Sequence, residues 1–263
     1  MKVYELVEIV EKLAPLSLAL PKDNPGLQIG RRDAEVKKVY LTVDVTHESI
    51  AAAAAAGCDF ILSHHPMIYH DPLMMVNDSG LQSSKALEII EHGMAYYATH
   101  TPFDCAKGGM GDAAAELIGI KDTAPMMPDQ KSPEEGIGRV GTLDEPMTAQ
   151  ELTDKVKSVF DLPGVILYDG SPAGKKLSRV ATLPGGGNSA WELALMLKAD
   201  AYITGDITYH NAMDAVEKGL TIIDAGHYGI EWIFVPTMSR YLAEKAPELE
   251  TICAPVHHVA QFR

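Results

Sequence analysis

No stretch of the chain stays apolar for the ~20 residues a helix needs to cross a bilayer, so a helical membrane protein is not expected. Cysteine is scarce. Cys58, Cys105 and Cys253 are odd in number and scattered in spacing, which excludes a disulfide framework and a cysteine-based zinc site. Basic residues are outnumbered 22 to 36 by acidic ones, for a formal net charge of -14 with no basic run. That argues against a nucleic-acid surface, because phosphate binding needs clustered Lys and Arg. The start, MKVYELVEIVEKLAPL, lacks the apolar core and cleavage site of a signal peptide. The cytoplasm is therefore the expected location. A GxSxG elbow is also missing, so covalent catalysis has no support in the sequence.

What is present is a globular composition, with 46% hydrophobic and 22% charged residues over 263 positions. Val3, Leu6, Val7, Val10 and Leu13 recur at helical spacing. Strands are then expected at Val36–Val45, Cys58–Ser63 and Met94–Thr99, with helices over His47–Ala56, Leu81–His92 and from Gly111 to Gly119. Gly57 stops the second helix. Strands separated by helices of this length imply βαβ units and largely parallel sheets.

Residues 121–138 turn to Pro, Asp, Lys and Gly and read as a linker. A second alternating series follows, with strands at Ile137–Leu143, Val165–Tyr168, Ser178–Leu183, Ala201–Thr204 and Leu220–Ala225. Its helices are expected over Thr148–Phe160, Ser189–Lys198 and Ile207–Lys218, with a long one from Ile230 to Lys245 and a last strand near Thr251–Pro255. The expected fold is α/β with two lobes and mainly parallel sheets. Residues 1–125, completed by 226–263, form one lobe, and 126–225 form the other.

Ligands of parallel α/β sheets collect beyond the carboxyl ends of the strands. Four segments put polar residues there. Ser63-His64-His65-Pro66 ends one strand, and Thr99-His100 leads to Asp104 after another. Asp224-Ala225-Gly226-His227 ends a third, with Glu231 four residues on. Thr204-Gly205-Asp206 ends the fourth, where Asp206 is a candidate cap for the helix that carries His210.

If a helix begins near His227, that residue and Glu231 share a face and can converge on one ion. Adjacent histidines on a regular strand diverge, but beyond its end His64 and His65 are released, and each could serve a different ion. Imidazole with carboxylate suits zinc, iron, manganese, nickel or cobalt better than calcium or magnesium. The competing reading is a chance gathering of polar loop residues. His47, His70 and His92 are assigned to surface or core, and His257 and His258 to a structural or exposed role.

Gly185-Gly186-Gly187-Asn188-Ser189 could present N–H groups to an anion, but it matches neither nucleotide-binding glycine pattern. The preferred reading is a tight turn with Asn188 or Ser189 as helix N-cap.

Five motifs then fall in a familiar order. They are Asp23-Asn24-Pro25-Gly26-Leu27-Gln28-Ile29-Gly30, Ser63-His64-His65-Pro66, and His100-Thr101-Pro102-Phe103-Asp104 with Gly108-Gly109-Met110-Gly111-Asp112. Thr204-Gly205-Asp206 and Gly226-His227 with Glu231 complete the series. Over essentially its whole length the chain resembles the NIF-three-like proteins, also called GTP cyclohydrolase 1 type 2 homologues. The resemblance implies two divalent metal ions in a cleft between two α/β lobes. Carried over by motif, the ligands are His64, His65, Asp104, His227 and Glu231, with Asp104 or Glu231 bridging. His100 matches a histidine near the centre, supporting a ligand or serving as acid/base. The resemblance also implies a toroidal homohexamer. Pro102-Phe103 and Gly111-Asp112 depart from the family's usual residues without touching a ligand position.

Two functions follow as expectations. One is a metal-dependent hydrolase of a nucleotide or phosphoester, a small-molecule substrate attacked by a metal-activated hydroxide. The other is a non-enzymatic metal-binding or metal-delivery protein with a scaffold role.

Overall fold

The computed structural model describes residues 1–69 and 72–259. His70 lies outside the described residues. In chain order the elements are Val3–Leu13 (α1), Gly26–Ile29 (β1), Lys38–Thr42 (β2), His47–Ala55 (α2), Phe60–Ser63 (β3), Leu81–Glu91 (α3), Ala95–Ala98 (β4), His100–Cys105 (α4) and Met110–Ile118 (α5). Then come Ile120–Pro128 (β5), Gly136–Met147 (β6), Ala149–Val159 (α6), Ile166–Tyr168 (β7), Leu177–Gly186 (β8), Trp191–Met196 (α7) and Ala201–Gly205 (β9). Tyr209–Glu217 (α8), Thr221–Asp224 (β10), His227–Glu231 (α9), Phe234–Lys245 (α10) and Glu250–Cys253 (β11) complete the chain. No helix among the described residues is long and apolar enough to cross a membrane.

The chain divides into two compact units. The first comprises residues 1–106 and 234–256. Its sheet has the order β1-β4-β3-β2-β11, parallel throughout except for the β1–β4 pair. Every residue of β3 and β4 is buried, as inner strands of a parallel sheet require when both faces are covered. Ile50 and Ala53 of α2 pack on Tyr40, Ile61 and Tyr96 of the sheet. A reciprocal capping pair starts α2: Thr46 Oγ1 accepts from Ser49 N–H at 3.0 Å, and Thr46 N–H donates back to Ser49 Oγ at 2.8 Å.

The second unit comprises residues 107–233 and the described part of 257–263. Its sheet has the order β5-β6-β8-β9-β10-β7. Only β8–β9 and β9–β10 are parallel; the other three pairings are antiparallel. The strand-helix alternation predicts parallel pairing, but β5–β6 is a hairpin, and β7 reaches the edge beside β10 against chain order.

Two local expectations are corrected. Residues 121–138 are no linker, because β5 and the start of β6 occupy most of them. β5 is an edge strand with mostly exposed side chains, which explains its polar composition, and an edge tolerates Pro125 and Pro128. The helix expected over Ile230–Lys245 is two helices. The break before Phe234 leaves Pro236 in the first turn of α10, where its missing N–H costs nothing.

Candidate functional site

In the first unit the histidine pair sits just past β3, and its backbone still follows the ladder. His64 N–H donates to Thr42 C=O at 3.2 Å and His65 N–H to Val43 C=O at 3.0 Å. The side chains nevertheless stay together, with ring centroids 4.9 Å apart. A buried clamp fixes the turn that follows. Tyr96 Oη donates to His65 C=O at 3.0 Å and accepts from Met67 N–H at 2.8 Å, while Ser63 Oγ donates to the same His65 carbonyl at 2.7 Å. Burial pushes the Tyr96 hydroxyl pKa up, outweighing the bonds from Ser63 and Met67, so it remains a neutral donor.

His64 is fully buried. Its ring packs against Phe234 and Phe103 at centroid distances of 5.5 and 6.3 Å, and its Nε2 lies 3.5 Å from Asp104 Oδ1. His65 Nδ1 meets Asp44 Oδ1 at 2.8 Å. His100 joins both rings, 5.7 Å from His64 and 5.8 Å from His65, and adopts a positive φ of 36°. Strain of that kind in a non-glycine residue persists only where surrounding contacts impose it. Here the contact is Asp23, whose side chain is 2% exposed and whose Oδ1 lies 2.6 Å from His100 Nδ1. Asp23 Oδ2 accepts from both the N–H and the hydroxyl of Thr101. Burial alone would raise the Asp23 carboxyl pKa. The hydrogen bonds from His100 and Thr101, the His100 charge and the Asn24 N–H hold it below the ordinary range.

In the second unit α9 does begin at His227, so His227 and Glu231 share a face, with Nε2 and Oε2 3.2 Å apart. Glu231 is 3% exposed. His227 Nδ1 meets Asp206 Oδ2 at 2.8 Å, so Asp206 orients a histidine rather than capping α8. Buried Asp224 ties the two loops concerned, accepting Ile207 N–H and Gly226 N–H, each at 2.9 Å.

The glycine loop makes the expected tight turn, with Ala190 N–H donating to Gly187 C=O at 3.0 Å, but not the expected helix cap. Gly185 has φ +81°, and a Cβ there would lie 2.3 Å from Glu231 Oε1. Gly185 is glycine because its main chain runs against the Glu231 carboxylate, whereas a Cβ at Gly187 would meet Thr204 and Tyr202. Neither Asn188 nor Ser189 caps α7, whose N-cap is Ala190. Asn188 Oδ1 instead accepts from Thr208 N–H at 2.9 Å and Asn211 Nδ2 at 2.8 Å, binding the loop to the start of α8.

The remaining described histidines have ordinary surroundings. His47 pairs with Glu88 on the surface, His92 and His210 are exposed, and Tyr228 engages both the backbone of His257 and the ring of His258. Sequence reasoning missed Asp44 and Asp23 as partners of histidines. Asp44 was within reach, since it lies just past the end of β2 as His64 lies past β3. Asp23 sits in an irregular segment with no local signal.

A model of the Duf34/NIF3 (NGG1p interacting factor 3) family matches residues 1–259. The chain belongs to that family. A GTP cyclohydrolase 1 type 2 homolog from Streptococcus pneumoniae is 36% identical over 242 residues, 91% of this chain and 89% of the relative. One from Methanocaldococcus jannaschii is 32% identical over 254 residues, 96% and 98% of the two chains. Among solved structures, reduced HcgD from Methanocaldococcus jannaschii aligns with a TM-score of 0.84 at 30% identity, covering 96% of this chain and 97% of its own. A Bacillus cereus protein related to NIF3 aligns with a TM-score of 0.89 at 23% identity, covering 100% and 99%, and supports the fold. In this family member, each unit pairs imidazole with carboxylate at strand ends, a donor set that fits first-row divalent metals.

Proposed function

We propose that the protein binds two divalent metal ions and is a metal-dependent hydrolase of a nucleotide or phosphoester. His64, His65 and Asp104 of the first unit and His227 and Glu231 of the second are the ligands in this reading. The observation that carries the proposal is the pairing of imidazole with carboxylate in each unit, His64 with Asp104 and His227 with Glu231. Relatives named GTP cyclohydrolase 1 type 2 homolog support the nucleotide alternative.

When bound, a metal pair brings the pKa of a coordinated water toward ~7 and polarises a carbonyl or phosphoryl oxygen. The chain's own residues do the rest. Phe103 and Phe234 pack on the His64 ring and keep water from that side. Asp23 holds His100 through Nδ1, which leaves Nε2 to take a proton from the attacking group and return it to the leaving group. Self-association into a ring-shaped homohexamer belongs to the same proposal and is read out by mass from light scattering.

The test is turnover of GTP and a phosphoester panel by wild type, His64→Ala and Glu231→Ala, each with added zinc, iron, manganese, nickel or cobalt. Metal-dependent turnover in wild type, lost in both variants, is expected. Equal turnover in all three overturns the proposal. Metal uptake without turnover on any substrate leaves a metal-binding protein and removes the hydrolase.

A further inference from the structure

Two histidines among the proposed ligands share one arrangement, an aspartate on Nδ1. His65 Nδ1 faces Asp44 Oδ1, and His227 Nδ1 faces Asp206 Oδ2, both at 2.8 Å. In a neutral imidazole one nitrogen carries the proton and the other the lone pair. A carboxylate accepts only, so it draws the proton to Nδ1 and leaves the lone pair on Nε2. Metal-binding histidines are commonly oriented this way by a carboxylate on the far nitrogen.

Both carboxylates are held in place by the chain around them. Asp44 follows β2, and its carbonyl accepts from Thr42 Oγ1 at 2.9 Å, two residues before the Thr46 cap of α2. Asp206 takes a positive φ of 59°, uncommon for a residue with a side chain. Asp224 fixes the loops on both sides of the Asp206–His227 pair. Surface carboxylates meeting histidines by chance would need neither constraint.

We infer that Asp44 and Asp206 are positioning residues that set His65 and His227 as Nδ1–H tautomers and so present Nε2 to the metal. The inference rests on the metal reading for its purpose but on the two unit-internal pairs for its geometry. Neither aspartate is itself counted among the ligands.

The experiment uses the full chain in two states. In the metal-free protein, long-range nitrogen–proton NMR correlations assign the tautomers of His65 and His227 in wild type, Asp44→Ala and Asp206→Ala. In the metal-loaded protein, competition with a chromophoric chelator gives zinc affinity for the same variants and for Asp44→Glu and Asp206→Glu. Expected are an Nδ1–H tautomer at His65 in wild type and a shift toward Nε2–H there in Asp44→Ala, loss of the Nδ1–H signal in Asp206→Ala at His227, whose Nε2 also faces Glu231, and a ~10–100-fold loss of affinity in each Ala variant. The Glu variants should recover part of that loss, and circular dichroism of all variants should match wild type. Unchanged tautomers, or unchanged zinc affinity in both Ala variants, overturns the inference. If wild type binds no metal at all, the proposed function fails, while the tautomer measurement still decides whether the two aspartates orient their histidines.

Discussion

Nε2 of His227 lies 3.2 Å from Oε2 of Glu231, one turn further along α9. That spacing puts an imidazole and a carboxylate on one face of a short helix, since residues four apart stack there. Glu231 is almost wholly buried there, and burying a carboxylate is costly unless charge or hydrogen bonds compensate it. Glu231→Gln keeps the shape and removes the charge. The predicted outcome is metal affinity reduced by more than tenfold in chelator competition.

Gly185→Ala is predicted to damage the same carboxylate from the other side. The added Cβ would lie 2.3 Å from Glu231 Oε1 at a backbone φ of +81°. Gly57 is the control, because its φ is also positive but nothing lies within 4 Å of a Cβ there. Gly57→Ala should cost about 1 kcal/mol in urea unfolding, the ordinary penalty of an L side chain in that region. Gly185→Ala should cost more and should also weaken metal binding, which Gly57→Ala should leave alone.

Tyr96→Phe deletes the hydroxyl that holds His65 C=O and Met67 N–H. Leaving a buried donor without its acceptor costs about 1–3 kcal/mol. Chemical denaturation should show a loss in that range, and the His65 ring resonances should broaden as the turn loosens.

Asp23→Asn should reveal the depressed Asp23 pKa through pH. A carboxyl held below its ordinary value favours the folded state at pH above that value, and the advantage disappears as pH falls through the depressed pKa. The stability gap between wild type and Asp23→Asn should therefore be present at neutral pH and close below about pH 4. A gap that widens on acidification contradicts the assignment of a charged Asp23 to the folded state.

Much of this architecture was legible because inner parallel strands are continuous apolar runs. Phe60–Ser63 and Ala95–Ala98 are buried at every position, so the residues just beyond them stood out as ligand candidates. The His227–Glu231 pair was legible for another local reason, the four-residue period of a helix. β5 was not legible, since an exposed edge strand carries the same polar and proline-rich composition as a loop. The Asp23–His100 pair joins residues 77 positions apart, and no local period encodes such a contact. Gly185 could be seen but not interpreted, because its reason is the Glu231 carboxylate, 46 positions further on.

The central claim is that these histidines and carboxylates hold two metal ions. Metal titration of the stripped full chain, followed by inductively coupled plasma mass spectrometry after desalting, tests it most directly. The account predicts two equivalents retained per chain in wild type, and fewer in His64→Ala, His65→Ala, Asp104→Ala, His227→Ala and Glu231→Ala. Retention of no metal by wild type, or of the same two equivalents by all five variants, would contradict it.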